Sequence, residues 1–219
     1  MKNLQFGSHP AASGTTRSLV VFLHGYGADG ADLLGLAGAL APSLPHTRFV
    51  APDAPTRVAG APSGRQWFPI PRFDGSTEAQ QALGLAAAAT ALNDFLDHQL
   101  AQDGLGPEAL ALVGFSQGAM MSLHVAPRRE VAMAGVVAIS GRLIRPEALQ
   151  AEAIVKPPVL IVHGDQDPVV PFAEMARAGN ALIAAEFETF GHVMKGTGHG
   201  IAPDGLSVAL SFLKDRLPG

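Results

Sequence analysis

A single serine stands between two glycines where an apolar run ends, in the segment GFSQG at residues 114–118. Residues 109–114 are predicted to form a buried strand and residues 117–126 a helix. In that context G-x-S-x-G is typical of a sharp turn that exposes a nucleophilic serine, and glycines leave room where the strand and helix backbones approach. The pattern therefore predicts Ser116 as a nucleophile. The alternative is a glycine-rich turn whose serine only caps the helix.

A serine hydroxyl needs a histidine to take its proton and a carboxylate to orient that histidine. In folds with this turn the acid follows a late strand. The strand predicted at residues 158–163 leads into HGDQDPVVPF, which holds Asp165 and Asp167. Asp167 is favoured because it lies deeper in the loop, whereas Asp165 directly follows the glycine and suits a turn.

Two histidines, His192 and His199, follow that loop. His199 lies among glycines in GTGHGIAPDG, directly before the predicted last helix, where a loop can bring an imidazole over the serine. His192 follows the strand predicted at residues 185–190. We therefore favour His199 as the base.

The negative charge that develops on an attacked carbonyl oxygen needs backbone N–H donors. The residue after the nucleophile, Gln117, supplies one N–H. The second is expected from Tyr26 in HGYGADG at residues 24–30, where the neighbouring glycines let the backbone approach a ligand.

Composition excludes several classes of protein. The chain has 219 residues, 47% hydrophobic and 16% charged, with a net charge of −4, which argues against a nucleic-acid surface. No apolar run reaches the roughly 18 residues that span a bilayer, and the first residues lack the apolar segment of a secretory signal. Cysteine is absent, so disulfides and thiolate chemistry are excluded. A cytoplasmic protein that needs no metal or other cofactor is expected.

The order of predicted elements indicates an α/β fold. Apolar strands alternate with helices, which is typical of a mostly parallel, doubly wound sheet in a single domain over residues 1–219. Residues 52–76, rich in proline and glycine, are expected to form a long irregular loop. The predicted strands are 18–24, 47–52, 109–114, 135–140, 158–163 and 185–190, and the predicted helices are 30–41, 77–102, 117–126, 168–183 and 204–216.

The motifs together resemble those of the acyl-protein thioesterase and carboxylesterase group, the phospholipase/carboxylesterase family of α/β-hydrolases. The segments VVFLHGYGADG, GFSQGAM, AISGRL, LIVHGDQDPVVP and GTGHGIAPDGL follow in that family's order. The resemblance implies an α/β-hydrolase fold, a triad of Ser116, Asp167 and His199, and an oxyanion hole from the Tyr26 and Gln117 amides. It also implies a weak homodimer.

The segment QWFPI at residues 66–70 is similar to the family's stretch beside the substrate entrance. Trp67 and Phe68 are therefore candidate acyl contacts, or else they anchor the long loop to the core. Arg72, on the same loop, is expected to be solvated, or alternatively to contact an anionic substrate.

The resemblance implies a serine hydrolase that forms an acyl-enzyme. It is closer to bacterial carboxylesterases, so the expected substrates are short-to-medium acyl carboxylesters, then thioesters and lysophospholipids. The alternative from another class is a non-catalytic binding protein that keeps the fold.

Overall fold

Parallel strands form most of the central sheet of this computed structural model, which describes residues 4–61 and 63–219. Seven of the described strands are hydrogen-bonded in the order β1-β3-β2-β6-β7-β8-β9, and β4 and β5 form a separate two-stranded ribbon. Only β1 runs antiparallel to its neighbour in the central sheet. The strands are β1 (Phe6–His9), β2 (Ser18–Leu23), β3 (Thr47–Pro52), β4 (Thr56–Arg57), β5 (Arg65–Gln66), β6 (Leu110–Phe115), β7 (Gly135–Ile139), β8 (Val159–Gly164) and β9 (Thr189–Met194).

Helices cover both faces of this sheet, so its central strands are buried on two sides. On β2, Leu19 and Val21 belong to one apolar core, while Val20 and Phe22 belong to the other. The first core includes side chains of α4, α5 and α7, and the second includes those of α1, α2 and α8. The helices are α1 (Gly30–Leu34), α2 (Ala37–Leu40), α3 (Pro71–Asp74), α4 (Glu78–Asp103), α5 (Gln117–Val125), α6 (Leu149–Glu152), α7 (Ala173–Ala184) and α8 (Pro203–Arg216). The predicted mostly parallel, doubly wound α/β fold is confirmed.

Three predicted elements lie elsewhere than expected. The helix predicted at 30–41 is divided into α1 and α2, and the one predicted at 168–183 begins at Ala173. The strand predicted at 185–190 is wrong, because β9 starts only at Thr189. The helix α7 continues to Ala184, and Glu186 turns the backbone with a φ of 63°. In addition, the half-exposed edge strand β1 was not predicted.

The segment 52–76, predicted to be an irregular loop, also contains the β4–β5 ribbon and the short helix α3, and its end is held against α4. Thr77 caps α4 by accepting the Gln80 N–H, while the Gln80 side chain accepts the Thr77 N–H. The interior Gly84 of α4 is explained by this packing, since a Cβ there would overlap the ring of Pro69. The loop therefore lies close enough to α4 to form one wall beside the sheet. In the part of the chain that the structure describes, no helix is both long and apolar enough to cross a membrane.

Candidate active site

The carboxyl ends of three parallel strands carry the residues singled out from the sequence. Ser116 follows β6, Asp167 follows β8, and His199 follows β9. Because these strand ends lie at the same edge of the sheet, their loops converge there, which is the usual place for ligands in open α/β folds.

Ser116 stands in a strained turn between β6 and α5. Its φ of 54° and ψ of −115° lie outside the conformations that residues with a side chain ordinarily adopt. Two backbone hydrogen bonds stabilise this conformation. The Ser116 N–H donates to Ile139 O at 2.9 Å, and the Ser116 carbonyl accepts the Met120 N–H at 3.1 Å. A Cβ on Gly114 would overlap the Gly118 carbonyl. The glycines are therefore required by the close approach of strand and helix, as the pattern predicted.

His199 joins the serine to the carboxylate. Its Nε2 lies 3.0 Å from Ser116 Oγ, and its Nδ1 lies 2.7 Å from Asp167 Oδ2. An ionised carboxylate can only accept, so Nδ1–H donates to Asp167 and leaves Nε2 free to accept the serine proton. The ring packs on Phe115, with centroids 4.9 Å apart. The arrangement can abstract the serine proton.

Asp167 is held as an ionised acceptor in a buried position. Burial alone raises the pKa of its carboxyl, but the hydrogen bonds from His199 and from the Val170 and Val169 N–H groups outweigh that effect and keep the pKa below its ordinary value. The buried His163 donates from Nε2 to the Val170 carbonyl at 3.0 Å. This bond fastens the loop that carries the carboxylate.

The residues left as alternatives have other partners. Asp165 Oδ1 accepts the Gly196 N–H at 2.7 Å, which ties the loop after β8 to the loop after β9. His192 Nε2 lies 2.8 Å from Asp204 Oδ2, on another part of the surface. The structure brings Asp167 and His199 to Ser116.

The loop after β2 comes within van der Waals distance of the nucleophile. A Cβ on Gly25 would lie 3.3 Å from Ser116 Cβ. Tyr26 is the next residue along the chain, so its backbone also lies near the serine. Gln117 is the first residue of α5, and its N–H has no acceptor within that helix. Both backbone N–H groups predicted to bind an oxyanion thus belong to segments that border Ser116.

The side chain of Gln117 fixes a wall of the site, a role that its position after the serine did not predict. Its Oε1 accepts the Trp67 N–H at 2.8 Å, and its Nε2 donates to the Phe68 carbonyl at 2.7 Å. The side chain is 1% exposed. The sequence signal that was available is an amide residue in an otherwise apolar helix start, since a buried amide must find partners.

A cavity of about 270 Å³ opens beside Ser116 and is apolar over much of its wall. Phe68 lines it, in agreement with its candidate role as an acyl contact. The expectation for Trp67 needs correction: it does not line this cavity, because its ring packs beside His24 and its Nε1 donates to the His24 carbonyl. Trp67 instead anchors the loop. The other lining residues include Tyr26, Ile70, Phe73, Met120, Val170 and Pro171.

His24 and His163 are buried and make hydrogen bonds within the protein. His24 donates from Nδ1 to Gly25 O and accepts the Ala54 N–H at Nε2. Burial lowers the pKa of His24, so the ring is neutral, as these two bonds require. Within the described residues, no group of three or more His, Asp or Glu side chains could hold a metal ion.

Removing the Gln117 side chain is expected to loosen the cavity wall. In Gln117→Leu the Trp67 N–H and the Phe68 carbonyl lose their partners, which should lower the free energy of unfolding by about 2 kcal/mol. For an ester, the substrate class that the motifs predict, we expect KM to rise about tenfold, with a smaller change in kcat, because the backbone N–H predicted to bind the oxyanion remains. Steady-state kinetics and urea unfolding measure the two effects.

The matched control is Gln99→Leu, which removes another buried amide that hydrogen-bonds Arg48 and does not line the cavity. It should destabilise the fold without raising KM. An equal rise in KM in both variants would contradict the assignment of Gln117 as a positioning residue.

The sheet order, the strained serine turn and the convergence of loops at one sheet edge define an α/β-hydrolase. The model of the phospholipase/carboxylesterase family matches residues 10–217, and the chain belongs to that family. It is 32% identical over 213 residues to acyl-protein thioesterase 1 of Saccharomyces cerevisiae (92% of this chain, 93% of that protein). It is 28% identical over 202 residues to esterase YpfH of Escherichia coli K12 (92% of this chain, 84% of that protein).

Among solved structures, esterase PE8 superposes with a TM-score of 0.93 at 43% identity, over 99% of this chain and 100% of that one. The resemblance seen in the motifs is confirmed. The protein is an enzyme, a serine hydrolase of the esterase and acyl-protein thioesterase class.

Proposed function

We propose that the protein is a carboxylesterase in which Ser116 is the nucleophile, His199 the general base and Asp167 the orienting acid. The observation that carries this proposal is that both ring nitrogens of His199 have a partner. Nε2 lies 3.0 Å from Ser116 Oγ, and Nδ1 lies 2.7 Å from Asp167 Oδ2. These distances lie within hydrogen-bond reach, as a nucleophile, base and orienting group require.

In the proposed mechanism, Ser116 Oγ attacks the acyl carbonyl carbon while its proton passes to His199 Nε2. The carbonyl oxygen becomes an oxyanion that accepts hydrogen bonds from the Tyr26 and Gln117 N–H groups. The bond to the leaving group then breaks, and His199 returns the proton to the departing alcohol or thiol. A water molecule, deprotonated by His199, attacks the acyl-serine ester and releases the carboxylic acid.

The proposed substrates are short-to-medium acyl carboxylesters, with acyl thioesters and lysophospholipids as further candidates. A cavity of about 270 Å³ is near the small end of ligand pockets, and Phe68, Ile70 and Met120 give it apolar wall for an acyl chain. The relatives named for esterase and thioesterase activity support both leaving-group types. The cytoplasmic location and the weak homodimer expected from the sequence stay predictions.

Labelling with an alkyl fluorophosphonate tests the nucleophile directly. This reagent phosphonylates a serine whose base can take its proton, with loss of fluoride. We expect one adduct per chain by intact mass, located on Ser116 by peptide mass, and parallel loss of 4-nitrophenyl butyrate turnover.

Ser116→Ala is the control and should take up no label. Folded protein that hydrolyses no ester and gives no adduct would contradict the proposed function. An adduct on another serine would assign the role of nucleophile to that serine and contradict the assignment of Ser116.

A further inference from the structure

The cavity beside Ser116 carries two arginines from separate segments. Arg72 lies on α3, at the end of the long loop, and Arg142 lies in the loop after β7. Both line the cavity together with Ser116, and both are exposed to solvent. The lining thus holds two basic residues and one acidic residue, Glu174, in a chain whose net charge is −4.

These two arginines differ from the rest in having no partner. Over residues 4–61 and 63–219, neither Arg72 nor Arg142 makes an ion pair or a side-chain hydrogen bond, whereas every other arginine has an interaction within the protein. Arg65, on the same long loop as Arg72, illustrates the contrast, since its guanidinium lies 3.4 Å from the Asp53 carboxylate. Among the residues that the structure describes, the arginines without a protein partner are thus the two that line the cavity.

The anions near the cavity are already engaged. Glu174 also lines it, but its carboxylate accepts a hydrogen bond from Arg177 at 3.0 Å. The Asp74 carboxylate, close to Tyr26, accepts the N–H groups of Ile70 and Ser76. Burial and the charge of Asp74 raise the pKa of Tyr26, so its phenol adds no negative charge at neutral pH. Hydrogen bonds do not cancel the charge of Asp74, but in the part of the chain that the structure describes neither carboxylate forms an ion pair with Arg72 or Arg142. The two guanidinium groups therefore remain available to an anionic ligand.

We propose that Arg72 and Arg142 bind an anionic group of the substrate, so that the preferred substrates are esters or thioesters bearing a carboxylate or phosphate near the scissile bond. This inference rests on the proposed esterase function and specifies its substrate class. A guanidinium donates two parallel N–H bonds to such a group, which gives geometric selectivity as well as attraction. The apolar wall holds the hydrocarbon part while the arginines hold the charge.

Two pairs of matched esters test the proposal and distinguish the end of the substrate that carries the charge. The first pair is the 4-nitrophenyl monoester of glutaric acid and 4-nitrophenyl valerate, which have acyl chains of equal length. The second pair is the butanoyl ester of 3-hydroxybenzoate and that of 3-hydroxybenzamide. The quantity compared is kcat/KM of the anionic ester divided by kcat/KM of the neutral one.

We expect the wild-type protein to favour the anionic member of at least one pair, and added salt to weaken that preference. In the double variant Arg72→Gln/Arg142→Gln the ratio should fall about tenfold, the effect of losing hydrogen bonds to a charged group at a partly exposed site. Arg72→Lys/Arg142→Lys should keep part of the preference, because charge remains but the planar fork is lost.

The control is Lys156→Gln/Lys214→Gln, which removes the same charge away from the cavity and should leave the ratio unchanged. A fall of less than threefold for both pairs in the arginine double variant overturns the proposal. Hydrolysis of the neutral esters by the wild type, abolished in Ser116→Ala, reports separately on the proposed function. Failure of the substrate class and failure of the enzyme mechanism are therefore distinguishable.

Discussion

Replacing Ser116 or His199 by alanine is expected to lower kcat for 4-nitrophenyl butyrate by about 10⁴-fold or more. The reason is that, in the proposed mechanism, His199 Nε2, 3.0 Å from Ser116 Oγ, takes the serine proton. A residual rate should remain, because the Tyr26 and Gln117 N–H groups and the acyl pocket are unchanged. Steady-state assays at high enzyme concentration, with the protein concentration taken from absorbance, measure this loss.

The same reasoning predicts strong non-additivity. Once Ser116 is absent, removing His199 as well should cost little more, since the two act as a unit. Asp167→Asn should have a similar or smaller effect than the single alanine variants, because an amide can favour the wrong tautomer of His199 while the loop geometry persists.

His192→Ala is the matched control, since it removes a histidine that pairs with Asp204 instead of Ser116. It should retain near wild-type kcat. Most activity surviving in His199→Ala but not in His192→Ala would move the base to His192 and contradict the assignment. Unchanged circular dichroism and thermal unfolding would show that each variant is folded.

The central strands could be predicted from sequence because burial on both faces leaves a simple signal. The segments at 109–114 and 158–163 are apolar runs, and the structure has β6 and β8 within one residue of them. At the edge the signal weakens: β9 has residues such as Phe190 and Gly191 exposed, and its start depends on where α7 ends. The edge strand β1 was missed for the same reason.

The helix predicted from residue 168 starts five residues later, at Ala173, because of Pro171. A proline disfavours the helical conformation of the residue before it, here Val170. The Val169 and Val170 N–H groups donate to the Asp167 carboxylate in the loop that precedes the helix.

Some features of the site could likewise be predicted from local sequence patterns, whereas others depend on tertiary contacts. Ser116 and the glycines around it are defined by local pattern, and the order of motifs led to Asp167 and His199. The anchoring role of Trp67, the buried Gln117 side chain and the unpaired state of Arg72 and Arg142 depend on contacts between segments far apart in sequence. No local pattern encodes those contacts.

Gly118→Ala is expected to lower the free energy of unfolding by about 3 kcal/mol or more. A Cβ at this position would overlap the carbonyl of Leu23 and lie 2.8 Å from the carbonyl of His24. Both neighbours are backbone at the end of a central strand, so no side-chain rotation relieves the overlap. Urea unfolding followed by circular dichroism measures the loss.

The exposed Gly38 of α2 provides the opposite control. Apart from its chain neighbours and its own helix, no atom of the described residues lies within 4 Å of the position its Cβ would take. Its backbone is helical, so Gly38→Ala should stabilise the protein by about 0.5–1 kcal/mol. Equal unfolding midpoints for the wild type and Gly118→Ala would contradict the close approach of α5 to β2. In the proposed mechanism that approach also holds the start of α5, where Gln117 lies, against the end of β2 that leads into the loop carrying Tyr26. Any Gly118→Ala protein that does fold should therefore lose ester hydrolysis as the two N–H donors separate.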